Sequence, residues 1–99
     1  MNQNKEPKQN RLDIYRKRMK FSQRHVARLL GHKDSSAWSN YERGVRLPSL
    51  TNALRLAIIL RTPVEFLFYE LFNELHARIR AEEERLALEA ARPVQQVLF

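Results

Sequence analysis

Residues 22–44 read SQRHVARLLGHKDSSAWSNYERG, and the fold turns on how this stretch is divided. Ser22 is a strong helix cap, because its hydroxyl can accept an orphan backbone N–H of the first turn. Val26, Ala27 and Leu30 follow at spacings that put them on one helical face. Gly31 ends that helix where a left-handed residue is cheap. The polar turn His32-Lys33-Asp34 leads into a second short helix, Ser35 to Arg43, with Trp38 and Tyr41 on its inner side and Gly44 as its stop. Two short helices meeting at a tight glycine-containing turn, the second polar on its outer face, is the helix-turn-helix arrangement.

Upstream, Asn10 caps a first helix, with Asp13 as the reciprocating acid three residues on. Leu12, Tyr15 and Met19 line one side of it, and Arg11, Arg16, Lys17, Arg18 and Lys20 surround them. Downstream, Pro48 and Ser49 introduce a fourth helix in which Leu50, Ala53, Leu54, Ala57 and Ile58 are the predicted inner face. Thr62, Pro63 and Glu65 then supply a cap, a first-turn proline and a capping-box acid. The fifth helix that follows, with Val64, Phe66, Leu67, Phe68 and Leu71, is apolar nearly all round and is expected at the centre of the core.

From Phe72 to Ala91 nothing interrupts a helix, and Glu74–Arg78, Arg80–Glu84 and Arg85–Glu89 can support it at i, i+4. Pro93 ends it. The predicted organisation is all-α: a basic arm at 1–10, a five-helix domain at 11–72, a helical extension at 73–92 and an apolar tail at 93–99.

The order and spacing of these residues resemble the phage-repressor or Xre-like regulators. The resemblance covers about residues 12–70. It rests on Ser22-Gln23, Val26-Ala27 with Leu30-Gly31, Ser39 to Gly44, Arg46, Pro48-Ser49-Leu50, and Ala57 to Phe68. It implies a lambda-repressor-like five-helix domain that binds double-stranded DNA as a transcriptional regulator, most simply a repressor. The turn at His32-Lys33-Asp34 is one residue longer than the family's usual turn, so the register of the recognition helix is counted back from Glu42. On that register the resemblance implies base contacts from Ser35, Ser36, Ser39 and Asn40 in the major groove. It implies phosphate contacts from Gln23, Arg24, Lys33, Arg43 and Arg46, and an ion pair between Arg16 and Glu42. Trp38 and Tyr41 invite a base-stacking reading, but their place on the inner face makes them core.

Charge agrees with an anionic partner. The net charge is +7, and it divides into +7 over residues 1–34, +2 over 35–69 and −2 over 70–99. Lys5 and Lys8 in the arm are candidates for a DNA backbone or minor groove. There is no cysteine, which excludes disulfides and thiolate zinc sites. His25, His32 and His76 lack metal-ligand spacing and read as surface histidines. Glu82 to Glu84 read as a solvated helix face, and no nucleophile has a plausible base, so neither an enzyme nor a cofactor is expected. No apolar run reaches membrane-spanning length and the N-terminus is polar and basic, which points to the cytoplasm.

Two other functions fit the same fold. One is an antitoxin that binds its toxin through the C-terminal region and represses its own operon. The other is a protein-binding adaptor without DNA affinity. Homodimerisation is expected, with Phe68, Phe72, Leu75, Ile79 and Leu86 as a candidate seam that Glu82 and Glu89 interrupt. The tail Gln95-Gln96-Val97-Leu98-Phe99 either folds back onto this or another chain, or docks on a protein partner. Gln95, Leu98 and Phe99 resemble short peptides that bind bacterial sliding clamps.

Overall fold

A computed structural model of the chain describes residues 10–92. The arm with Lys5 and Lys8 and the tail with Gln95, Leu98 and Phe99 lie outside the described residues. Six helices follow in order: α1 Leu12–Arg18, α2 Gln23–Leu29, α3 Ser36–Glu42, α4 Leu50–Leu60, α5 Val64–Leu67 and α6 Tyr69–Ala90. Among the described residues there is no strand. Five helices with a sixth as extension is the predicted class; three details within it are corrected by the structure.

The first is the inner face of α4. Leu56 and Leu60 are buried, with Ala53 and Ala57 packed against the core, while Leu50, Leu54 and Ile58 are exposed. Apart from Thr51, Asn52 and Arg55, this helix is apolar throughout, so periodicity alone does not select a face. The turn after α4 decides. Arg61 takes a left-handed conformation (φ 52°) and sends the chain back over the Ala53–Leu60 side.

The second is the fifth helix, which is a single turn. Phe68 (φ −117°, ψ 52°) breaks it, and α6 starts anew at Tyr69. Only Leu67 and Phe68 of this segment are buried, and Phe66 faces solvent. Arg11 packs at the same point. The Arg11 N–H donates to the Leu67 carbonyl at 2.7 Å, and the Arg11 guanidinium bonds Glu70 at 2.9 Å and lies 4.2 Å from the centre of the Tyr69 ring. A carbonyl given to Arg11 at this point coincides with the turn from α5 into α6.

The third concerns α6 itself, of which no residue is buried. With 22 residues it is the longest helix among the described residues, spanning about 33 Å. Glu74 pairs with Arg78 as expected from spacing, but Arg80 bonds Glu83 and Arg85 bonds Glu82 more closely than Glu89. These exposed pairs are screened by solvent and contribute little, and a helix held by them alone is only marginally stable in water.

The core gathers Leu12 of α1, Val26 and Ala27 of α2, Trp38 and Tyr41 of α3, Leu56 and Leu60 of α4, and Leu67 with Phe68. Every helix up to α5 contributes to it, so the relative placement of α2 and α3 is set by burial on one common centre.

Candidate nucleic-acid interface

The α2–turn–α3 unit is held by local backbone chemistry at its joints. The Ser22 hydroxyl accepts the His25 N–H at 3.0 Å. Gly31 sits at φ 88°, and a side chain there would meet nothing within 4 Å. The position therefore demands a left-handed backbone and not space. After it, the Asp34 carboxylate accepts both the backbone N–H of Ser36 at 2.9 Å and its hydroxyl at 2.6 Å, which caps α3.

Those two bonds hold the Asp34 carboxyl below its ordinary value, the Ser36 hydroxyl being the larger cause. A carboxyl with a depressed folded-state pKa stabilises the fold above its unfolded pKa and loses that contribution as pH falls through the folded value. Acidification to below about pH 4 should accordingly fray the first turn of α3 before the core opens. The Ser36 amide resonance, followed by NMR against pH, should titrate with the Asp34 carboxyl. A Ser36 amide that moves only with global unfolding would contradict this.

The carboxyl end of α3 is tied more heavily. Glu42 is only 5 % exposed. It accepts from the Arg16 guanidinium, from the Gln23 amide at 2.9 Å and from the Trp38 indole N–H at 2.6 Å. Arg16 in turn donates to the Phe21 carbonyl at 2.9 Å. One carboxylate thus locks α1, α2 and α3 together, and its desolvation is offset by charged and neutral donors at once. Trp38 and Tyr41 meet edge to face at 6.4 Å within the core, so neither is available for stacking on a base.

Two asparagines complete the frame, and their roles were not legible from periodicity. Asn10 is buried, accepting the Leu12 N–H at the start of α1 and donating to the Tyr41 carbonyl at 2.9 Å. Asn52 of α4 donates to the Tyr41 hydroxyl at 3.3 Å. A polar residue spaced like a cap carries no sequence signal that its other end reaches a helix distant along the chain.

What remains outward on α3 is one polar face. At 100° per residue Ser36, Ser39, Asn40 and Arg43 lie on the side opposite Trp38, Tyr41 and Glu42, with Ser35 at its edge. Ser36 and Arg43 are exposed, and Ser35, Ser39 and Asn40 are half-buried. The Arg43 guanidinium donates to the Asn40 side-chain oxygen at 2.6 Å, and the Asn40 carbonyl accepts the N–H groups of Val45 and Arg46. Arg24, Lys33 and Arg46 are all exposed, whereas Gln23 is half-buried with one amide N–H given to Glu42. His32 is not the plain surface histidine expected: its Nδ1 is buried and finds no hydrogen-bond partner among the described residues.

Among the described residues no helix is long and apolar enough to cross a membrane, and no group of three or more histidines and acids could hold a metal. No curated protein and no solved structure matches this chain. The helix-turn-helix family model matches residues 12–67, which take in α1 through α5. With that match laid over two helices packed at a glycine turn and a polar outward face on the second, the chain belongs to the Xre-like, phage-repressor-type helix-turn-helix family of DNA-binding transcriptional regulators.

Proposed function

We propose that the protein represses transcription as a homodimer bound to a specific duplex site. In this reading α3 lies in the major groove. Ser35, Ser36, Ser39 and Asn40 meet base edges, and Gln23, Arg24, Lys33, Arg43 and Arg46 meet phosphates. The observation that carries it is the division of α3 into an anchored inner side and a polar outer side, in a domain where Arg24, Lys33, Arg43 and Arg46 are all exposed. A helix that enters a groove must be rigid on one side and hydrogen-bonding on the other. Repression requires only occupancy of a promoter.

The site shapes the expected readout. Asn40 offers the only amide on the outer face of α3, the group suited to a two-bond contact with adenine. Its oxygen already accepts from Arg43, so on DNA the guanidinium turns to a phosphate as the amide turns to the base. Gln23 reaches a phosphate through the amide N–H that Glu42 does not use.

Selection from a random duplex pool, followed by affinity against salt, tests this. Asn40→Ala should cost about 1–3 kcal/mol on the selected site and relax one base position. Arg46→Ala should weaken all sequences alike and reduce the slope of log K against log salt by about one. Binding that is insensitive to salt and selects no sequence would favour a protein-binding adaptor instead.

A further inference from the structure

The first turns of α6 form one wall of an apolar groove of ≈ 290 Å³, with Phe68, Phe72 and Leu75 on that wall and Leu47, Leu50 and Val64 opposite. The same side of α6 continues beyond the groove through Ile79 and Leu86, both exposed. Groove and stripe thus form one apolar surface that nothing covers among the described residues. It runs along a helix of which, among the described residues, only the half-buried Leu71 packs against the core.

We propose that a second copy of this chain covers this surface with its own α6 running antiparallel, so that Leu86 of one copy packs at Phe72 in the groove of the other. This rests on the dimeric reading above and adds its direction. Three observations point the same way. In a parallel pair the interrupting acids Glu82 and Glu89 would each face their own counterpart across the seam, which is repulsive. Reversing one helix about Ile79 removes both clashes and brings Phe72 to Leu86 and Phe68 to Ala90.

Charge is the second. Residues 80–90 of α6 carry Glu82, Glu83, Glu84 and Glu89 against Arg80 and Arg85, a net charge of −2, and antiparallel pairing lays them beside the positively charged domain of the other copy rather than beside a second net-negative end. The third is span. The 22 residues of α6 cover about 33 Å. Two domains rooted at opposite ends of the pair are then separated by about one turn of DNA, the spacing that paired recognition helices need.

The chain has no cysteine, so single-cysteine variants report geometry directly. Under oxidation Ile79→Cys should cross-link to itself. Phe72→Cys and Leu86→Cys should cross-link when mixed, but not alone. Self-cross-linking of Phe72→Cys or Leu86→Cys would mean a parallel pair and overturn the proposal. As a readout that leaves the seam intact, spin labels on Arg92→Cys should lie about 40 Å apart in the antiparallel pair, against about 10 Å in a parallel one.

Sedimentation of the full chain separates the two levels. A dimer that shows neither the cross-links nor the long label distance overturns this arrangement and leaves the dimeric reading standing. A monomer at concentrations that saturate DNA overturns both.

Discussion

Replacing Arg16 by Met should lower stability by about 3 kcal/mol, and adding Glu42→Gln should restore more than half of that loss. Both side chains are nearly out of water, at 12 % and 7 % exposure, so solvent screening of the pair is small. Removing the guanidinium leaves a carboxylate whose remaining partners are the Gln23 amide and the Trp38 indole, two neutral donors facing a buried charge. An amide at position 42 carries no charge to strand and still offers an oxygen to Trp38. The expected order is therefore wild type, then the double variant, then Arg16→Met alone. Urea unfolding of the four proteins of the cycle measures it. A double variant less stable than Arg16→Met would show that the Gln23 and Trp38 donors suffice for the Glu42 carboxylate and that no charge is stranded. Against a total of about 5–15 kcal/mol for a domain, the single variant should also loosen α3 enough to weaken DNA binding on every sequence.

That network marks the boundary of what the sequence discloses. The α2–turn–α3 unit was legible because each helix has few apolar residues, in narrow sets: Val26, Ala27 and Leu30 on one, Trp38 and Tyr41 on the other. The same scarcity made the outer face readable by counting back from Glu42. Periodicity could not reveal the second bonds that polar residues make. Gln23 and Asn10 look like residues at helix starts, yet one reaches Glu42 and the other the Tyr41 carbonyl. Phe68 looked like one more core residue in a long helix. Its break coincides with Arg11, more than fifty residues earlier, taking the Leu67 carbonyl. Such contacts are tertiary, and local propensity yields to them.

The α4 helix shows the same limit from the other side, and it supplies a contrast of large size. Leu56→Ala should cost about 2–5 kcal/mol, because Leu56 is 0 % exposed and sits at the junction of α4 with the rest of the core. For a domain of this size that corresponds to a fall in Tm of roughly 8–40 °C. Ile58→Ala, two residues on, should change stability by less than about 0.5 kcal/mol, since Ile58 is 75 % exposed and alanine is the better helix former. The sequence pattern predicts the reverse, with Ile58 inward and Leu56 outside the chosen face. Thermal melts of the two variants at one low protein concentration decide between the two orientations. Equal losses would mean that α4 is rotated from the orientation described, placing Ile58 against the core and displacing the Ala53–Leu60 side from α5.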